Sequence, residues 1–172
     1  FEITTPAAEG ISLDVEETGR TFEENAILKA KAFSKVSGLI SLADDSGLEV
    51  YALNGEPGIL SARYAGVHAS DEEKVQYLLD KMKGIESAKR QARFCCVMAI
   101  CDPQAGVEIF EGVREGMISE VPKGLSGFGY DPIFYIPSSG RHMAELSMDE
   151  KNDISHRGLA AKKVRSYIVG MV

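Results

Sequence analysis

The chain has 172 residues, 44% of them hydrophobic and 26% charged, and a formal net charge of −7. That length suits one domain that buries a core without covalent staples, and the charge argues against a long polyanion as partner, though not against a small nucleotide that brings its own magnesium. No apolar run reaches transmembrane length and no signal-peptide pattern is present, so a soluble cytoplasmic protein is expected.

The sequence opens at Phe1, and the stretch to Val15 reads as the continuation of an element already under way. The first clear element is a helix from Thr21 to about Ser37. Thr21 and Glu24 form a T-x-x-E capping box, and Phe22, Ala26, Ala30 and Phe33 give an apolar face at helical spacing. Gly38 is its stop. Leu39 to Ala43 is predicted as a short strand that ends at Asp44-Asp45-Ser46-Gly47. Leu48 to Leu53 is predicted as a second strand, closed by the turn Asn54 to Gly58. A short helix is expected around Ser61 to Tyr64. Ser70 and Glu73 cap a further helix, whose Val75, Leu78, Leu79 and Met82 share one side and which ends at Gly84.

Two long strands follow, about Arg90 to Cys101 and Val107 to Ser119, joined by Asp102-Pro103-Gln104-Ala105-Gly106 as an antiparallel hairpin. The three cysteines, Cys95, Cys96 and Cys101, lie in this apolar stretch without a Cys-x-x-Cys pair and read as buried free thiols. Pro122 to Tyr130 is a glycine-rich loop, and Pro132 to Ile136 a strand. Ser147 and Glu150 repeat the capping box, and Ser155 caps the last helix, to about Ile168. Interleaved helices and strands with a long hairpin predict an α/β protein with a mixed sheet.

Five groups of residues can carry chemistry. Asp44 and Asp45 pair two carboxylates with a bend-permitting glycine, a set of hard oxygen ligands that suits Mg²⁺ beside substrate phosphates; the same tetrapeptide also reads as a polar turn. Glu17 lies one short loop before the first helix and is free to face a metal, or to sit in water with its neighbours. Lys29 offers a point charge to a phosphate, or is an exposed helix lysine. In Ser126-Gly127-Phe128-Gly129-Tyr130-Asp131-Pro132, flanking glycines leave the face of Phe128 open for stacking on a base, unless the ring belongs to the core. His156 and Arg157 lie in the first turn of the last helix, where cations oppose the helix dipole; Arg157 and Lys151 supply only donors and could meet a keto oxygen on a base edge, or the group is a solvated helix start.

The order of these blocks is more specific than any one of them. Glu16-Glu17-Thr18-Gly19, Thr21-Phe22 and Glu24-Asn25-Ala26 lead to Ala43-Asp44-Asp45-Ser46-Gly47-Leu48. Then come Pro57-Gly58, Ser61-Ala62-Arg63-Tyr64, Gly127 to Pro132, Met143-Ala144-Glu145-Leu146, and Lys151 ahead of Ser155-His156-Arg157-Gly158. Over essentially the whole chain this resembles the inosine triphosphate pyrophosphatase family. The resemblance implies an elongated mixed sheet flanked by helices, two lobes with a central cleft, a homodimer, and Mg²⁺-dependent cleavage of ITP, dITP and XTP to monophosphate and pyrophosphate. It implies that Asp45 is the proton acceptor and touches the metal, with Glu17 as the other metal-linked carboxylate and Asp44 in support. Ser46 and Lys29 would contact phosphates, and Phe128, Gly129, Tyr130, Asp131, Lys151, His156 and Arg157 would hold the base. Family members open with a strand and a Thr/Ser-x-Asn-x-x-Lys loop, and residues 1–172 are expected to form a single domain that lacks them. A pyrophosphatase with another nucleotide preference and a nucleotide-binding protein without turnover are the alternatives.

Overall fold

A computed structural model describes residues 2–171. Helix α1 (Phe22–Ser37) starts where Thr21 Oγ1 accepts the Glu24 N–H at 3.1 Å, and stops at Gly38, whose φ of +71° lets its N–H reach Ser34 O. The reciprocal half of the expected capping box is displaced by one residue: Glu24 Oε2 accepts the N–H of Arg20, not of Thr21. The α2 (Asp71–Lys81) and α3 (Met148–Ile154) boxes form fully, and Ser155 caps α4 (His156–Gly170).

The two short strands expected around Asp44 are one. β1 runs unbroken from Ser41 to Val50, and each of its residues faces a partner on β2 (Gln91–Asp102), Asp44 opposite Met98 and Asp45 opposite Val97. The Asp-Asp-Ser-Gly stretch is therefore mid-strand, not a turn. β2 and β3 (Gly106–Ile118) form the expected hairpin, whose turn is held by Asp102 Oδ1 accepting the N–H groups of Gln104 and Ala105. The last predicted strand splits: Asp131–Ile133 is a 3-10 turn, and only Phe134–Ile136 is strand, β4, followed by β5 (Arg141–His142). The sheet order is β1-β2-β3-β4-β5, flanked by helices, and every pairing among the described residues is antiparallel.

Strand alternation divides the interior into two clusters. On one face Cys95, Val97, Ala99 and Cys101 pack under Phe22, Ala26 and Ala30 of α1. On the other, Leu48, Val50, Ala92 and Phe94 meet Val75 and Leu78 of α2 and Met82 just past its end, with Ile133, Phe134, Met143 and Leu146 closing the cluster. α4 lies against β3 on this second face, where Gly112 admits the helix backbone: a side chain there would collide with His156 O and Ala160 N. The buried Arg90 clamps the second cluster by donating to Ile118 O, Met82 O and Ser119 O. All three cysteines are buried and free, and burial pushes the thiols of Cys95 and Cys96 up to about 12, so both are inert. No helix of the described residues is long and apolar enough to cross a membrane.

Candidate active site

Because residues alternate across β1, Asp44 and Asp45 point to opposite faces of the sheet. Asp45 faces α1. Its Oδ1 accepts from Lys29 Nζ at 3.2 Å and its Oδ2 from Asn25 Nδ2 at 3.1 Å, while Lys29 Nζ also reaches Glu17 Oε1 at 2.6 Å. One ammonium thus gathers two carboxylates that are far apart in sequence. Burial pushes the Asp45 carboxyl above its ordinary value, against the opposing pull of Lys29 and Asn25. Burial also works against the Lys29 ammonium, but its bonds and charges with Glu17 and Asp45 outweigh that and raise its pKa.

Asp44 is turned the other way, toward α4, and its Oδ2 accepts from Arg157 Nε at 3.0 Å and Ser46 Oγ at 3.3 Å. The strand pleat thus sets Asp44 on the face opposite Asp45, as the counterion of Arg157.

The second face holds a cavity of about 190 Å³, walled by Ser46, Gly47, Phe94, Phe128, Tyr130 and Arg157 among others. Sites for whole drug-sized ligands occupy about 300–1,000 Å³, so this one is on the scale of a single planar heterocycle. Phe128 is 57% exposed, so it is not a core ring. Lys151 Nζ and the Arg157 guanidinium stand 4.5 and 5.4 Å from its centroid. The loop that carries it is pinned twice: Asp131 Oδ2 accepts the Phe128 N–H and pairs with Lys151, and Asp71 Oδ2 accepts the Gly129 N–H at 2.6 Å. Gly127, at φ +87°, must be glycine, since a side chain would strike Asp131 Oδ2. Tyr130 is a buried wall whose hydroxyl donates to Ser61 O.

His156 departs from its expected charge. It is 6% exposed, its ring stacks on Phe94 at 4.7 Å, and burial together with Arg157 and Lys151 pushes it down to about 3. It is neutral at physiological pH, so only Arg157 opposes the α4 dipole, and Asp44 offsets it. Its buried Nδ1 has no protein partner among the described residues. The folded state resists protonation of this ring while the unfolded chain takes a proton near 6.5, so its contribution to stability is whole above that value and is lost as pH falls toward 3. Denaturant unfolding at pH 7.5 and pH 5 is expected to show the chain losing stability on acidification, at up to about 1.4 kcal/mol per pH unit from this group. His156→Gln is expected to flatten that difference; an unchanged slope would contradict it.

The expected site residues thus fall into two groups, Glu17, Lys29 and Asp45 on the α1 face of β1 and the others, with Asp44 as the counterion of Arg157, around the cavity on the opposite face. Ser46 and Gly47 line the cavity directly beside Asp45 on β1. The 3-10 turn Gly58–Arg63 does the same from below: Ser61 and Ala62 line the cavity, and Arg63 Nη1 comes within 3.8 Å of Glu17 Oε2. Four contributors lie outside the set that the sequence singles out. Arg63 enters there only as part of a motif, and Asp71 carries no signal beyond that of a helix-start acid. Lys74, paired with Asp71 at 2.6 Å and also lining the cavity, has no local signal. Asn25 does have one, as a polar residue on the apolar face of α1, one turn from Phe22.

Among the described residues no three His, Cys, Asp or Glu side chains converge as a metal cage. Glu17 and Asp45 nonetheless converge on one cation, Lys29, and two carboxylates completed by substrate phosphates is a mode that Mg²⁺ uses. The donor set fits that ion.

The sequence profile of the Ham1 family matches residues 2–167. The dITP/XTP pyrophosphatase of Bacillus licheniformis is 49% identical over 159 residues, spanning 92% of this chain and 81% of that protein. That of Thermus thermophilus is 51% identical over 146 residues, 85% of this chain and 70% of that one. Among solved structures, the Staphylococcus aureus Ham1 protein superposes with a TM-score of 0.89 at 48% identity, covering 93% of this chain and 82% of that chain. A HAM1 protein from Coxiella burnetii does so with the same TM-score at 46% identity, over 95% and 84%.

Proposed function

The chain belongs to the Ham1 family, and on that premise we propose that it is a hydrolase of ITP, dITP and XTP, releasing the nucleoside monophosphate and pyrophosphate. The relatives known as dITP/XTP pyrophosphatases support the substrate class. What supports the assignment to these residues is a base-sized cavity and the Glu17–Lys29–Asp45 cluster on the two faces of β1, linked by the turn Gly58–Arg63, which lines the one and reaches Glu17 in the other. A nucleotide seated there puts its base in one and its phosphates at the other.

In this reading residues 1–172 form one pyrophosphatase domain, and two copies form a homodimer, as the family resemblance implies. The base lies on Phe128. Lys151 and Arg157 present N–H donors to a keto oxygen at position 6, and the amino group of adenine would set donor against donor. Ser46 and Lys29 hold phosphate oxygens. Asp45, whose proton affinity burial has raised, accepts the proton of the water that attacks the α-phosphorus. Glu17 and Asp45 would hold Mg²⁺, which would supply positive charge to offset that of the phosphates.

The test is a panel of ITP, dITP, XTP, GTP and ATP with Mg²⁺, assayed separately for pyrophosphate and phosphate. Pyrophosphate from ITP and XTP, with ATP slower by tenfold or more, is expected. Phosphate alone, or equal rates on ATP, would contradict the proposal.

A further inference from the structure

Asn25 is 1% exposed, and a buried amide needs its partners. It has two from different elements. Its Oδ1 accepts the Gly19 N–H at 2.8 Å and its Nδ2 donates to Asp45 Oδ2 at 3.1 Å. The orientation of the amide is settled by chemistry: a backbone N–H can only donate, so the atom facing Gly19 is the oxygen, and the nitrogen is left for the carboxylate. Gly19, on the strap carrying Glu17, also packs closely here, since a side chain there would lie 2.5 Å from Asn25 Oδ1. One amide therefore ties α1 to the segment that bears one carboxylate and to the carboxylate of the other.

We propose that Asn25 is a positioning residue, which fixes the direction of the Asp45 carboxylate and the reach of the Glu17 strap through this single amide bridge. This rests on the reading of Asp45 as proton acceptor. Lys29 holds Oδ1 and Asn25 holds Oδ2, so both oxygens are oriented before substrate arrives. Asn25 is not among the residues that wall the base cavity. Its loss should lower turnover and leave nucleotide affinity alone.

The test is a double-mutant cycle with ITP and Mg²⁺, joined to amide hydrogen exchange. Asn25→Ser removes the bridge without adding charge. It is expected to lower kcat by about 10- to 100-fold with KM within about threefold of wild type, and to expose the Gly19 amide to exchange. In an Asp45→Asn background the same substitution is expected to change residual kcat by less than about threefold, because the group it positions is gone. Asn25→Ala, also neutral and a stronger helix former, carries the same comparison if Asn25→Ser does not fold. An equal loss in both backgrounds, or a raised KM with kcat retained, would overturn the proposal. Retained turnover in Asp45→Asn itself would instead sink the assignment of the proton acceptor, a separate failure.

Discussion

Replacing Asp45 with Asn is expected to lower kcat for ITP by about a thousandfold or more while KM stays within a few-fold and the fold survives. General-base catalysis contributes about 10²–10⁴-fold, and the substitution also removes one of the two carboxylates that converge on the Lys29 site. The base cavity is walled by other residues, so affinity should persist. The stability side follows from the direction of the Asp45 shift. A carboxyl raised above its unfolded value contributes stability below the ordinary carboxylate range and loses it as pH rises through the folded value. At neutral pH the ionised group is thus a strain on the fold, and the neutral amide should leave the thermal midpoint equal or higher. A dead enzyme with an unchanged or raised midpoint separates chemistry from folding; a fall of many degrees would contradict this account of its burial.

Lys29→Met is the second large effect. The ammonium lies 2.6 Å from Glu17 and 3.2 Å from Asp45, and its side chain is 20% exposed. Without it two carboxylates face each other with Arg63, 3.8 Å from Glu17, as their remaining neighbouring cation among the described residues. Loss of kcat/KM by about 10²–10³-fold is expected, of the order found when one preorganised charge-stabilising group is removed. The metal-free variant should melt below wild type. Mg²⁺ should then raise its midpoint more than it raises that of wild type, because the ion no longer competes with a resident ammonium for the same oxygens. Equal Mg²⁺ shifts in the two proteins would speak against a shared site.

How far the sequence disclosed this site depended on whether its signals were local. The caps at Thr21, Ser70, Ser147 and Ser155 and the β2–β3 hairpin are decided within a few residues, and all are found. β1 is the instructive miss. Two adjacent aspartates and a glycine read as a strand end, yet the strand passes through them because each carboxylate meets a cation on its own face, Arg157 from α4 and Lys29 from α1. Those partners are distant in sequence, so no window around Asp44 could show that the charges are neutralised. The same limit hid Asp71: it begins α2 as any helix-start acid would, and only the fold brings it to the Gly129 N–H. His156 was legible as a candidate but not as a neutral one, since its charge state depends on burial against Phe94 and on two neighbouring cations.

The proposed reaction turns on a water, held by Asp45, that attacks the α-phosphorus of a nucleotide whose base lies on Phe128. Hydrolysis of ITP in ¹⁸O-enriched water, with the products separated and analysed by mass spectrometry, tests it most directly. The label is expected in the inosine monophosphate, with the pyrophosphate unlabelled. Label in pyrophosphate, or in orthophosphate released beside inosine diphosphate, would place the attack on another phosphorus and contradict it.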